Sequence, residues 1–216
     1  MKPFVFLGAA TLLLTTASAL PYASESQSAQ HQRSKRDTSA ISIVQTVAPT
    51  SNTCANAPVA GDCATASQAA APILASFAQY SITSPAEQAA LLSWMAFESG
   101  DFKYNHNVSP GTPGQGCRNM MMPGFVKKYA AVVQGADASS TDPATVLNSV
   151  ITAGGDWGAA AWFYSTQCSD AIKNGLKTGG KAGWEAWITG CVQTTVTDAR
   201  TQYWQRAAQA LGMSAS

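Results

Sequence analysis

Ser84-Pro85-Ala86-Glu87-Gln88-Ala89-Ala90-Leu91-Leu92-Ser93-Trp94-Met95-Ala96-Phe97-Glu98-Ser99-Gly100 is the stretch on which the fold turns. Ser84 suits a helix cap, Pro85 the first turn, and Glu87 completes a capping box. The residues that follow are apolar almost all round, so this helix belongs in the centre of a core. Gly100 stops it. Glu98 therefore falls in the last turn of a buried helix. That is an unfavourable place for a charge unless it finds a partner or keeps its proton.

Outward from this segment the pattern stays helical. Residues 70–80 read as a helix with Pro72 in its first turn, and residues 123–134 as another, closed by Gly135. Thr141-Asp142-Pro143 opens a further helix that ends at Gly154-Gly155. Asp156-Trp157 starts a compact one through Ala160, Trp162 and Tyr164, with Asp156 as its cap. Residues 168–176, 181–191 and 196–211 complete the series, with Trp184, Trp187, Tyr203 and Trp204 turned inward. Alternation of the β type is confined to residues 41–47, and no internal repeat occurs. The chain reads as mainly α, a single domain with irregular loops around residues 100–118.

The N-terminal part has a different character. Lys2, the apolar run Phe4 to Leu14 and the small residues Ala17-Ser18-Ala19 form a secretory signal over residues 1–19. A polar propeptide over 20–36 ends in the dibasic pair Lys35-Arg36, with an uncut leader as the alternative. Residues 37–52, rich in Ser, Thr and Val, are expected to be a flexible, extended tail. Residues 53–216 form the folded domain, long enough for a real core. The full chain has a formal charge of +1, and loss of the leader leaves about −2. That balance gives no footprint for nucleic acid. The apolar run is too short for a membrane span and no second one follows. The expected product is secreted, extracellular and monomeric.

Five cysteines travel this oxidising route. A local staple Cys54–Cys63 and a clip Cys168–Cys191, with Cys117 left over, is the preferred pairing, although spacing alone leaves connectivity open. Zinc spacings are missing and only His106 survives maturation, so neither a metal nor a cofactor is expected, nor a Ser-His-Asp triad.

Glu98 is the leading chemical candidate. An acid held against apolar side chains can keep its proton near neutral pH and donate it to a leaving oxygen. Asp101 is the nearest second carboxylate, within the range of spacings that paired-acid sugar chemistry uses. Glycines 114 and 116 would let the backbone approach a sugar. Tyr104, in a polar loop with Asn105, His106 and Asn107, is a candidate for stacking on a ring. Trp157 is a weaker one, and Trp162, Phe163 and most of Met120 to Met122 read as core.

Glu98-Ser99-Gly100-Asp101-Phe102, then Ser109, Gly114, Gly116, Asn119-Met120-Met121, Met122-Pro123 and Lys128-Tyr129-Ala130 resemble the goose-type lysozyme and soluble lytic transglycosylase pattern. Ala160 to Ser165 resembles that pattern's later tyrosine segment, and the whole also looks like small secreted fungal proteins of the lysozyme-like superfamily. The resemblance implies a disulfide-stapled lysozyme-like domain in which Glu98 is the general acid and Tyr164 the hydroxyl that orients it. It places Ser109, Gln115 and Asn119 on a substrate cleft. Met121 stands where the pattern has Gln, and Cys117-Arg118 replace small or apolar residues. The implied function is a glycoside hydrolase of the muramidase type, with a polysaccharide as partner. It would cleave β-1,4 bonds of an amino-sugar cell-wall polymer, peptidoglycan first and chitin or chitosan second. The alternatives are a hydrolase of a neutral polysaccharide such as mannan, or a non-catalytic secreted wall-binding or effector protein.

Overall fold

The capping signals at Ser84 are used as written. Ser84 Oγ accepts the Ala86 amide at 3.2 Å, and the Ser84 amide donates to Glu87 Oε2 at 3.3 Å. From there helix α3, Pro85–Glu98, runs through the middle of the molecule. Ala89, Ala90, Leu91, Met95 and Ala96 have no solvent exposure at all, as an all-round apolar helix requires.

A computed structural model describes residue 32 and residues 39–134, 142–178 and 180–214. Around α3 lie α1 (residues 39–47), α2 (Ala66–Gln79), α4 (Pro123–Gln134), α5 (Pro143–Thr152) and α6 (Ala159–Gln167), then α7 (Asp170–Lys177), α8 (Gly180–Trp187) and α9 (Asp198–Ala210). Helix α9 packs along α3, and α6 and α7 also touch it; α4 pairs with α5, and α7 with α8. Trp184 stacks on Trp204 at 5.2 Å, while Trp94 meets Phe163 and Trp187 edge-on at 5.5 and 5.4 Å. Such pairs add to the area they bury. The mainly α reading is therefore correct, and no strand element occurs among the described residues. Only isolated bridges join His106 to Gly116 and Gly116 to Met121.

Both expected disulfides form, Cys54–Cys63 and Cys168–Cys191, and Cys117 is free and buried. Burial pushes the Cys117 thiol up, away from the reactive thiolate. No helix among the described residues is long and apolar enough to cross a membrane.

Three expectations need correction. Residues 37–52 are not an extended tail throughout: 39–47 are helical and Pro49–Asn52 form a 3-10 turn. Ala40, Val44, Val47 and Ala48 supply the helical period, and all four are buried. Arg206 Nε holds the end of α1 by donating to the Val47 carbonyl at 3.1 Å. Helix α2 starts at Ala66, capped by Thr65, so Pro72 lies inside it and not in its first turn. The segment 181–191 is α8 followed by a π-helical turn, Ile188–Val192. The signal peptide, the propeptide with Lys35-Arg36 apart from residue 32, Gly135 and Thr141 lie outside the described residues.

Candidate functional site

The irregular loop after α3 is organised by a buried cation. Arg118 Nε donates to Asp156 Oδ2 at 2.8 Å. Its Nη1 donates to the carbonyls of Asp62, Phe102 and Tyr104 at 2.7, 3.0 and 3.2 Å. The guanidinium lies 4.3 Å from the Trp157 ring centroid. Burial raises the Asp156 carboxyl and lowers the Arg118 guanidinium, and each partner's charge opposes the shift. Asp156 is thus the counter-ion of Arg118 and not a helix cap. One face of Trp157, a stacking candidate in the sequence, is covered by this cation.

Asp62 owes its place to the Cys54–Cys63 staple beside it and to Arg118 on its carbonyl. Its Oδ2 accepts the Asn105 amide at 3.2 Å and lies 2.7 Å from His106 Nδ1. The carboxylate side chain is 10% exposed and the imidazole 40% exposed, so the acid is shielded and the ring faces outward. Beside the ring opens a cleft of about 430 Å3. Asp62, Asn105, His106, Asn107 and Gln115 line it from the loop side, and Ala144, Leu147, Asn148 and Ile151 from α5, where Asn148 is the one polar side chain among three aliphatic ones. No Lys or Arg lines it.

The glycines expected to meet a sugar meet α5 instead. Gly114 has φ +76°, and a Cβ there would run into Pro143. A Cβ on Gly116 would sit 2.6 Å from Leu147 Cδ2 and 2.7 Å from the Asn105 carbonyl oxygen. These positions require glycine because the loop backbone lies directly on the helix.

A second depression of about 350 Å3 shares His106, Asn107 and Gln115 with the first. Glu98, Tyr104 and Ser109 line it, so four of the sequence candidates, with Gln115, do converge. Glu98 is not poised as a free acid, however. Its Oε1 accepts from Arg200 Nη2 at 2.9 Å, and that guanidinium also covers the Phe97 ring at 4.5 Å. Burial raises the Glu98 carboxyl, and Arg200 works against it. Gln115 spends its amide within the loop, accepting from Asn107 Nδ2 at 2.6 Å and donating to the Met120 carbonyl at 3.1 Å.

The remaining candidates stand elsewhere. Tyr164 does not reach Glu98. Its hydroxyl donates to Glu87 Oε1 at 2.8 Å, in the first turn of α3. The two glutamates are separated by most of that helix, roughly 16 Å of rise. Asp101 is a structural carboxylate: Oδ2 accepts from Thr50 N and Oγ1 at 2.9 and 2.7 Å, and Oδ1 from the Tyr203 hydroxyl at 2.7 Å. These bonds leave no reason for it to face a substrate. Burial and this carboxylate push the Tyr203 phenol up to about 12. Asn119 is 2% exposed and lines neither depression. Among the described residues no group of three or more His, Cys, Asp or Glu side chains could hold a metal ion.

Asp62, His106, Arg118 and Asp156 are the site residues that sequence reasoning missed. The available signal was Arg118, which departs from the resembled pattern where a small or apolar residue was expected.

The chain is 39% identical over 157 residues to a Fusarium oxysporum (strain Fo5176) protein described as a bifunctional dioxygenase (DOX)-epoxy alcohol synthase (EAS). The match takes in 68% of this chain and 12% of that protein, so it falls on a minor part of the larger polypeptide. No family model matches the chain, and no solved structure does. This similarity overturns the lysozyme-like resemblance and, with it, the glycoside hydrolase and cell-wall-degrading reading. The relative's description names oxygen chemistry and no glycosidase. The geometry agrees with the correction, since the proposed acid is ion-paired to Arg200 and its expected tyrosine serves Glu87.

Proposed function

We propose that this chain is a ligand-binding domain for a neutral, oxygenated, amphipathic small molecule, seated in the cleft between the His106 loop and α5. The observation that carries this is the pairing of walls. Amides, an imidazole and a shielded carboxylate line one side, and a mainly aliphatic strip of Ala144, Leu147 and Ile151, with the Asn148 amide among them, lines the other. Pockets that join apolar surface to a few placed polar groups are the usual small-molecule sites. The lining contains no Lys or Arg, so it offers a phosphate or carboxylate ligand none of the cations that normally hold one.

The related Fusarium protein supports this choice of ligand class. It is described as an epoxy alcohol synthase, and an epoxy alcohol is a neutral molecule with hydroxyl and epoxide oxygens on a carbon frame. The dioxygenase and synthase activities are those of the larger protein. In this reading the chain contributes binding of an oxygenated molecule of that kind. Cys117 is sealed from solvent, and the cleft supplies hydrogen bonds and apolar contact.

Isothermal titration with a medium-chain epoxy alcohol tests the reading. Wild type is expected to bind, and Ala144→Glu to weaken binding at least about tenfold by setting a charge against the apolar portion of the ligand. Residue 144 is exposed near the start of α5, where an acid is tolerated, so the variant keeps its fold. Equal affinity of the two proteins contradicts the placement.

A further inference from the structure

We propose that Asp62 and His106 form a hydroxyl-selecting dyad, in which the carboxylate fixes the imidazole tautomer so that Nε2 offers the cleft a hydrogen-bond acceptor. The proposal rests on the binding reading above and deepens it, by naming the group on the ligand that the site recognises.

The argument begins at Nδ1. Two oxygens approach it, Asp62 Oδ2 at 2.7 Å and Asn105 Oδ1 at 3.3 Å. The carboxylate is acceptor-only when ionised. It already takes the Asn105 backbone amide, and the Arg118 guanidinium bonds the carbonyl of the same residue. Both neighbours of Nδ1 therefore call for a donor, and Nδ1 carries the proton. In a neutral ring the other nitrogen is then an acceptor, because the bond made by one nitrogen sets the role of the second.

The surroundings hold this state in place. The Asp62 side chain is 10% exposed, so its carboxylate is largely shielded from water where it meets Nδ1. The disulfide at Cys63 and the Arg118 bond fix the loop that carries Asp62. Asn107 and Gln115, the ring's companions on the polar wall, bond to each other at 2.6 Å. Their mutual bond occupies both amides, and the imidazole, 40% exposed, lines the cleft together with Leu147 and Asn148 of α5. A ligand hydroxyl donates to it; an ether oxygen in the same place cannot, and leaves it unpaired. Sites built around one such bond discriminate against analogues that lack the donor.

The test uses a medium-chain secondary alcohol and its O-methyl ether, titrated calorimetrically into the full chain at a pH where the ring is neutral. Wild type should bind the alcohol about tenfold more tightly than the ether. Asp62→Asn frees the ring to adopt either tautomer, and His106→Leu removes the acceptor without touching the Asp62–Asn105 bond. In both the preference should fall to about one. Nitrogen-15 spectra of the histidine, assigned by its loss in His106→Leu, should show a protonated Nδ1 and a bare Nε2. Wild type binding both molecules equally, or a protonated Nε2 in the spectrum, overturns the dyad. If neither molecule binds, the cleft reading fails, and the spectrum alone decides the tautomer. A bare Nε2 in the apo protein then upholds the tautomer set by Asp62 but not hydroxyl selection, and a protonated one sinks both.

Discussion

Arg118→Leu is expected to destabilise the protein by about 3–5 kcal/mol, the range seen when one partner of a buried ion pair is removed. In denaturant titration this appears as a lower midpoint with an unchanged slope; for a domain of this size the melting temperature should fall by roughly 10 °C. The reason is local. Without the guanidinium, Asp156 is a buried carboxylate with no counter-charge, and three carbonyls on two segments lose their donor. Asp62 and Tyr104 are then held less firmly, so the cleft loosens together with the fold. Arg118→Lys should recover little, because one ammonium cannot reproduce the fork that reaches Asp156 and the carbonyls at once. A loss below about 1 kcal/mol, the worth of an exposed pair, would show that the loop is held by other means.

Replacing Cys168 and Cys191 together by serine is expected to cost about 3 kcal/mol. The bridge closes a 23-residue separation that contains α7 and α8. It ties the start of α7 to the π-helical turn after α8, where Ile188 and Cys191 are buried. The cleft lies at the other disulfide, so ligand affinity should survive where the double variant is folded. Thermal unfolding of wild type with and without reductant, set beside the serine variant, measures the effect. No change in either comparison would mean that helix packing alone holds this end.

What the sequence shows most openly is what is local. The capping box at Ser84 and Glu87 and the run Ala89 to Phe97, apolar but for Ser93, define α3 with no knowledge of the rest of the chain. The preferred cysteine pairing, which spacing alone left open, is the one that forms. Helix α1 was obscured because Ile41 and Ile43 imitate strand alternation while only Ala40, Val44, Val47 and Ala48 carry the helical period. The site was harder to read because its decisive contacts are distant in sequence. Glu98 looked like a sheltered acid, and its neutralising partner lies 102 residues away at Arg200. Tyr164 looked like the partner of Glu98, and packing of α6 places its hydroxyl at Glu87. Asp62 and His106 are brought together by the Cys54–Cys63 staple, by the Asn105 amide on Asp62 and by Arg118, which gathers the carbonyls of Asp62 and Tyr104 onto one guanidinium. A lone acid and a lone histidine carry no pattern that anticipates this.

The central claim is that the cleft between the His106 loop and α5 receives a neutral oxygenated ligand. Methyl and amide NMR spectra recorded during titration with the medium-chain epoxy alcohol test it most directly. The expected result is saturable shifts at the Leu147 and Ile151 methyls and at the Asn105, His106 and Asn107 amides, with Arg200 and Tyr203 undisturbed. Shifts confined to the Glu98–Arg200 end, or none at any concentration, would contradict it.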